Sequence, residues 1–326
     1  DDSFDAYSIL YEYGLSTEFE DKVEEEAKKI SSTITKEEVK KRRDMRGELT
    51  FTIDPVDAKD FDDAISFKKI EENKYEVGVH IADVSHYVRP GSKIDDEAQN
   101  RATSVYLVDR VIPMLPETLS NNLCSLRPNE EKLTFSAVFL INKNGDIKEE
   151  WFGKTITESD VRLSYEEAQH IIETSQEKIP KEHTILKKEK KVTQKTVEAL
   201  TTLNSIAKTI RNKRINNGAI IFDKTEIKFE LDKKNQPENI VFKTTKSSNK
   251  LIEEFMLCAN EQVARIMKKQ NFPCIYRVHD EPEEQKLNEL RETMTTFGVK
   301  CGNLKKPLSI ANLLKKLLKQ VRYRKW

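Results

Sequence analysis

Five aspartates lie within ten residues, between two segments that the sequence pattern predicts to be β-strands. Residues 49–53 and residues 64–67 are the two strand-like segments, which contain β-branched and aromatic side chains. The aspartates between them are Asp54, Asp57, Asp60, Asp62 and Asp63. Carboxylates a few Å apart raise each other's pKa, and a divalent cation removes that conflict. The run therefore favours a sheet in which one strand ends and the next begins around an acidic connection.

Two kinds of acidic connection are compatible with this run. Hard carboxylate oxygens suit Mg²⁺ or Mn²⁺, and two such ions a few Å apart promote in-line attack on a phosphodiester. Acidic runs are also common in solvated loops, where Asp serves as a turn residue. An EF-hand is excluded, because the Gly and the distal Glu that it requires are not at the necessary positions. The run alone leaves both the metal site and the plain turn open.

Three further motifs follow the aspartates, and they match one enzyme family in order and in spacing. They are VHIADVSHYV at 79–88, SVYLVDRVIPMLP at 104–116 and LSNNLCSL at 119–126. With the aspartates, these motifs resemble the catalytic domain of the ribonuclease II/ribonuclease R family, and the ribonuclease R branch is the most similar. The resemblance runs from about residue 46 nearly to the C-terminus. It implies a hydrolytic exoribonuclease that degrades single-stranded RNA from the 3′ end to nucleoside 5′-monophosphates with Mg²⁺, for which Mn²⁺ is a possible substitute.

The resemblance assigns roles to individual aspartates. The residues that fall on the four active-site aspartates of the family are Asp54, Asp60, Asp62 and Asp63. We expect these four to be catalytic and to hold the metal, with Asp63 either a ligand or the group that orients the attacking water. Asp57 lies inside the run but outside the family pattern, and we interpret it as a turn residue.

Two tyrosines are the expected RNA contacts. By resemblance, Tyr106 corresponds to the family tyrosine that packs against the terminal nucleotides, and Tyr165 corresponds to a tyrosine near the sugar of the bound RNA. Aromatic faces hold a single strand without sequence preference, because every base can stack on them. From the residues alone, without the resemblance, Tyr106 is interpreted as a core aromatic and Tyr165 as a packing residue at the start of a helix.

The overall composition gives no sign of a general nucleic-acid binder. The chain has 56 Lys and Arg against 56 Asp and Glu, so any RNA contact depends on local surfaces. No apolar run approaches the roughly 20 residues that a membrane helix requires. The four cysteines form no Cys-x-x-Cys motif and predict buried free thiols in a reducing compartment. We expect a cytoplasmic monomer whose partner is single-stranded RNA and not a membrane.

The predicted fold class is α+β, with a mixed, mainly antiparallel sheet flanked by helices. Asn-Gly at 144–145 between two strand-like runs predicts a hairpin, and residues 164–167 resemble a capping box that opens a helix. A long charged helix or helical pair is expected over 182–215. Residues 1–45 are interpreted as a helical connector, which in the family follows small RNA-binding barrels. Residues 46–326 are interpreted as an incomplete RNB-type catalytic domain, with the chain truncated at both ends.

One family motif has no counterpart in this sequence. It is of the type Ser-Pro-Ile-Arg-Arg-Tyr, and its arginine helps to stabilise the transition state. The loss of such a cation lowers rates by several orders of magnitude in other phosphoryl-transfer enzymes. Impaired activity is therefore expected, and the alternative is a catalytically inactive, truncated RNA-binding domain. A phosphatase that uses Asp60 and Asp62 as nucleophile and acid is a third candidate, but it lacks the Thr or Val that usually follows such a pair.

Overall fold

A seven-stranded sheet lies at the centre of the computed structural model, which describes residues 8–108, 110–221, 226–232, 237–278 and 280–323. The strands are β1 (Arg43–Asp44), β2 (Leu49–Asp54), β3 (Asp63–Glu71), β4 (Lys74–Ala82), β5 (Val105–Tyr106), β6 (Val111–Ile112), β7 (Glu131–Asn142), β8 (Ile147–Glu158), β9 (Val161–Ser164), β10 (Lys178–Ile179), β11 (Lys190–Lys191), β12 (Glu226–Leu231) and β13 (Pro237–Lys243). The order in the central sheet is β1-β8-β7-β4-β3-β2-β9. The two marginal strands pair in parallel and all other neighbours are antiparallel, which confirms the predicted fold class.

Helices precede the sheet and cover it. They are α1 (Asp21–Lys29), α2 (Lys36–Lys40), α3 (Val84–Tyr87), α4 (Lys93–Arg101), α5 (Tyr165–Thr174), α6 (Gln194–Asn216), α7 (Ser247–Lys269), α8 (Glu284–Thr296) and α9 (Pro307–Tyr323). The helix expected over 182–215 is shorter than predicted, because α6 begins only after the β10–β11 pair. Thr193 caps it by accepting a hydrogen bond from the Thr196 N–H at 3.2 Å. The expected helical connector contains α1 and α2, and its last residues form β1 against β8.

The β7–β8 hairpin forms where Asn-Gly predicted it. The side-chain oxygen of Asn142 accepts hydrogen bonds from the N–H of Asn144 at 2.9 Å and of Asp146 at 3.0 Å, which closes the turn. Gly145 has a φ of +73°, and a Cβ there would lie 2.7 Å from Cγ1 of Ile210. Both the left-handed backbone and the close helix therefore require glycine at this position.

The main hydrophobic core lies between one face of the sheet and the helices α5, α6 and α7. Its buried members include Phe51, Ile65, Val79, Phe139, Leu163, Ile171, Leu200, Leu251 and Phe255. The predicted capping box opens α5: Ser164 Oγ accepts from the Glu167 N–H at 3.1 Å, and Glu167 Oε2 accepts from the Ser164 N–H at 2.9 Å. The first turn of α5 is thereby fixed at the end of β9.

The opposite face of the sheet packs on α1, α4 and a π-helical turn at Leu119–Leu123. The buried side chains of this second core include Val23, Ala27, Phe61, Ala64, Ala82, Ile94, Leu119 and Leu126. The same face carries a buried polar row in which His80 Nδ1 lies 2.6 Å from Ser136 Oγ. Gly78 makes room for that ring, because a Cβ on Gly78 would lie 2.6 Å from His80 Nε2.

Helices α8 and α9 share a third small core that includes Leu287, Met294 and Leu313. The four cysteines are free thiols, but only Cys124 is buried and Cys274 is exposed, so the expected burial fails for the others. No helix in the described ranges combines the length and the apolar character that a membrane span requires.

Candidate active site

The predicted aspartates lie at one end of the sheet, on and around the connection between β2 and β3. Asp54 is the last residue of β2 and Asp63 is the first of β3. Asp60 and Asp62 lie in the intervening residues 55–62, which we call the acid loop. β9 runs parallel to β2 and places Ser164 opposite Asp54, so α5 begins with Tyr165 at the same sheet end.

The carboxylates of the site are close enough to repel one another in a poorly solvated position. Burial raises the pKa of Asp54 to about 7, with further increases from the charges of Asp63 and Asp62, while the nearby Thr52 hydroxyl and then the charge of Arg162 oppose the change. Burial and the charge of Asp62 raise the pKa of Asp63 to about 6. The pKa of Asp62 is also raised, by burial and then by the charge of Asp60. The protein thus gathers negative charge at a place where water cannot fully solvate it.

These residues fit a divalent cation such as Mg²⁺. The Oδ2 atom of Asp54 is buried and accepts no hydrogen bond from the residues that the structure describes. Hard carboxylate oxygens are the donors that Mg²⁺ and Mn²⁺ prefer, and a cation would relieve the mutual repulsion. In the described part of the chain, no three His, Cys, Asp or Glu side chains already stand in a metal-ligating arrangement. The carboxylates are therefore neighbours whose side chains would have to turn towards a bound ion.

Both predicted tyrosines lie beside the aspartates. Tyr106, on β5, is 65% exposed, and its hydroxyl donates a hydrogen bond to Asp60 Oδ2 at 3.3 Å. Tyr165 is partly buried against the main core. Burial, followed by the charges of Asp54 and Asp63, raises the pKa of Tyr165 to about 12. The structure thus brings all six predicted site residues to one sheet end, and an aromatic ring projects into solvent next to the carboxylates.

Two residues that the sequence did not single out hold the backbone of the acid loop. Ser125 Oγ accepts a hydrogen bond from the Phe61 N–H at 3.1 Å and donates one to the Lys59 carbonyl at 2.9 Å. Arg162 donates from Nη2 to three carbonyl oxygens of residues 55–58. Ser125 lies in the motif at 119–126, but its spacing does not reveal a partner 64 residues away. No sequence motif predicted a role for Arg162, and only its position just before Ser164 and Tyr165 placed it near the site.

Comparisons with known proteins agree with this geometry. Residues 42–325 match the family model described as the RNB domain. The chain is 41% identical over 311 residues to DIS3-like exonuclease 2 of Xenopus tropicalis, covering 92% of this chain and 37% of that protein. It is 40% identical over 294 residues to ribonuclease R 2 of Lactococcus lactis subsp. lactis, covering 90% of this chain and 43% of that protein.

A solved structure shares the fold over nearly the whole chain. It is that of Mycoplasma genitalium RNase R in complex with ribose-methylated single-stranded RNA, with a TM-score of 0.86 and 30% sequence identity. The superposition covers 95% of this chain and 47% of that one. The chain therefore spans less than half the length of each of these three relatives.

Proposed function

This chain belongs to the ribonuclease II/ribonuclease R family through its RNB domain, and on that premise we propose that it carries the catalytic centre of a metal-dependent 3′→5′ exoribonuclease. The substrate is single-stranded RNA, hydrolysed to nucleoside 5′-monophosphates. The observation that carries the proposal is the group of carboxylates at the sheet end, with the exposed Tyr106 beside them. Among these carboxylates, Asp54 Oδ2 is buried and has no hydrogen-bond partner in the described part of the chain. The likeness to an RNase R solved with single-stranded RNA supports the substrate class.

The aspartates and the tyrosines have separate tasks in this proposal. Asp54, Asp60 and Asp62 hold Mg²⁺, which Mn²⁺ can replace. The bound ion supplies Lewis acidity and lowers the pKa of water for hydrolysis. Asp63 either joins the ligand set or orients the attacking water through its carboxylate.

The tyrosines position the 3′ end of the RNA. The exposed ring of Tyr106 stacks on a terminal base, an interaction worth roughly 1–3 kcal/mol per base. Tyr165, whose pKa is raised by burial and then by the charges of Asp54 and Asp63, contacts the sugar. Stacking does not discriminate strongly between bases, so degradation without strict sequence preference follows. We further propose that residues 1–45 connect this domain to preceding elements, and that the protein acts as a cytoplasmic monomer.

The test is an RNase assay of this chain on 5′-labelled single-stranded RNA with Mg²⁺. We expect a ladder that shortens from the 3′ end and disappears in EDTA and in Asp62→Asn. Cleavage that survives Asp62→Asn would contradict the assignment of the site. If neither protein cleaves the RNA but both bind it, the chain is an RNA-binding domain without activity. Turnover of small phosphomonoesters with no activity on RNA would indicate a phosphatase instead.

A further inference from the structure

The acid loop is held from two sides by side chains that are not among the proposed metal ligands. On one side the buried Ser125 bonds to the Phe61 N–H and the Lys59 carbonyl, and the Leu126 N–H donates to the Phe61 carbonyl at 2.8 Å. On the other side stands Arg162. The loop that carries Asp60 and Asp62 is therefore fixed through its backbone, independently of its carboxylates.

Arg162 binds the first half of the loop through a single nitrogen. Its Nη2 lies 3.1 Å from the carbonyl oxygen of Pro55, 2.9 Å from that of Val56 and 3.2 Å from that of Ala58. Three carbonyl dipoles that point at one place repel one another unless a cationic donor stands between them. The turn between Asp54 and Asp60 is thus built around the guanidinium.

The same guanidinium also packs on the second half of the loop. Its central carbon lies 4.6 Å from the centroid of the Phe61 ring, which is within the range of a cation–π contact. Phe61 is 5% exposed and belongs to the second hydrophobic core. Arg162 therefore ties the acid loop to a buried anchor between Asp60 and Asp62.

Arg162 is itself well fixed. It pairs with Thr52 in the parallel β2–β9 ladder, and its carbonyl accepts a hydrogen bond from Lys190 Nζ at 2.7 Å. The same Nζ lies 2.9 Å from Oε2 of the buried Glu167, which closes the capping box of α5. The strand that carries Arg162 leads directly into Tyr165, so one segment sets both the acid loop and the tyrosine.

We propose that Arg162 is a positioning residue for the metal centre. By holding the carbonyls of residues 55–58 and the ring of Phe61, it preforms the acid loop so that Asp60 and Asp62 can share a cation with Asp54. The inference rests on the proposed function in one respect, that these aspartates bind a divalent metal. The Nη2 donors of Arg162 are engaged by three carbonyls of the acid loop.

The test compares three variants of the whole chain. Arg162→Met keeps an unbranched side chain over Phe61 but removes every donor, whereas Arg162→Lys keeps a charge and a donor. Arg43→Met is the matched control, because Arg43 also lies over an aromatic ring, 5.2 Å from the centroid of Trp151, and pairs with Glu76 away from the acid loop. Mn²⁺ binding is measured by calorimetry without RNA, and hydrogen exchange is followed at the Ala58 and Phe61 amides.

We expect Arg162→Met to weaken Mn²⁺ binding about 10- to 100-fold, the range found when residues that orient metal ligands are removed. Exchange at the two amides should accelerate, while the KM for RNA at saturating Mn²⁺ stays within about twofold of the wild-type value. Arg162→Lys should recover part of the affinity, and Arg43→Met should leave Mn²⁺ binding unchanged. Wild-type affinity in Arg162→Met, or an equal loss in Arg43→Met, would overturn the proposal.

The outcomes separate this inference from the proposed function. If Mn²⁺ affinity depends on Arg162 but the wild-type chain does not cleave RNA, the positioning role stands and the exoribonuclease proposal fails. If the wild-type chain cleaves RNA and Arg162→Met binds Mn²⁺ normally, the positioning role fails alone. Absence of Mn²⁺ binding by the wild-type chain would overturn both.

Discussion

Asp54 is a carboxyl group whose ionisation opposes folding, and its removal is expected to stabilise the metal-free chain. Its pKa rises from an ordinary value of 3.8 to about 7 in the folded protein, chiefly because it is buried. The unfolded chain therefore loses this proton several pH units before the native chain does. The contribution of Asp54 to native stability is fully present below about pH 4 and is lost as the pH rises to about 7. Asp54→Asn removes the titrating group and with it this loss.

The size of the effect follows from the two pKa values. A difference of about three units corresponds to about 4 kcal/mol once the carboxyl is ionised in both states. The asparagine amide must still be buried, which reduces the gain to about 2–4 kcal/mol. With an unfolding entropy of about 2.1 cal/mol/K per residue, that gain raises the Tm by about 3–6 °C.

The assay is thermal and urea unfolding in EDTA at pH 8 and at pH 4. Asp57→Asn is the control, because Asp57 lies in the same loop but is exposed, with an ion pair to Lys228 at 3.2 Å that is worth less than about 1 kcal/mol. Asp54→Asn should be more stable than wild type at pH 8 and nearly equal at pH 4. With saturating Mg²⁺ at pH 8, only the wild type should gain stability. Equal or lower stability of Asp54→Asn at pH 8 in EDTA would refute the reasoning.

Three other predictions concern the core and the RNA surface. Burial lowers the pKa of His80 from 6.5 to about 3, so the contribution of His80 to native stability is lost as the pH falls below about 6.5. His80→Gln should therefore reduce the slope of the unfolding free energy against pH by about one proton between pH 6 and 4, and an unchanged slope would contradict this. Glu254 is fully buried and forms ion pairs with Arg211 and Arg214 of α6, so Glu254→Gln should lower the free energy of unfolding in urea by about 3 kcal/mol. The control Glu253→Gln, at a half-exposed position, should lower it by less than about 1 kcal/mol. Tyr106→Ala should weaken RNA binding by roughly 1–3 kcal/mol, measured by fluorescence anisotropy on an Asp62→Asn background that does not cleave the RNA. Tyr106→Phe keeps the ring and should bind RNA nearly as tightly as the parent protein, so equal losses in the two variants would argue against stacking.

Local patterns were sufficient for the elements on which the site is built. The strand-like segments before Asp54 and after Asp63 predict two strands, and the structure ends β2 and begins β3 at those residues. The capping box at Ser164 and the Asn-Gly turn before β8 are also encoded within a few residues. Such signals survive because each depends on hydrogen bonds between neighbours in the sequence.

The contacts that complete the site depend on distant parts of the chain. Arg162 meets the carbonyl of Pro55 across 107 residues of sequence, and Ser125 meets Phe61 across 64. Neither separation corresponds to a helical or strand periodicity, so the sequence pattern cannot predict these two contacts. The parallel pairing of β9 with β2 decides both contacts of Arg162 and the position of Tyr165, and register between distant strands is set by the packed core. The family resemblance located the aspartates and the tyrosines but not the side chains that hold them.

The site combines a fixed backbone with carboxylates that repel each other. Arg162 and Ser125 hold the acid loop through carbonyls and amides, so the charges of Asp60 and Asp62 cannot relax by moving the whole loop away. The folded chain therefore retains an unfavourable charge distribution that a cation can relieve, and the free energy released by that relief contributes to metal affinity. The hydroxyl of Tyr106 bonds to Asp60, which is also a proposed ligand. In the proposed function this carboxylate serves both the ion and the ring that receives the RNA base, so we expect metal binding and substrate positioning to be coupled at Asp60.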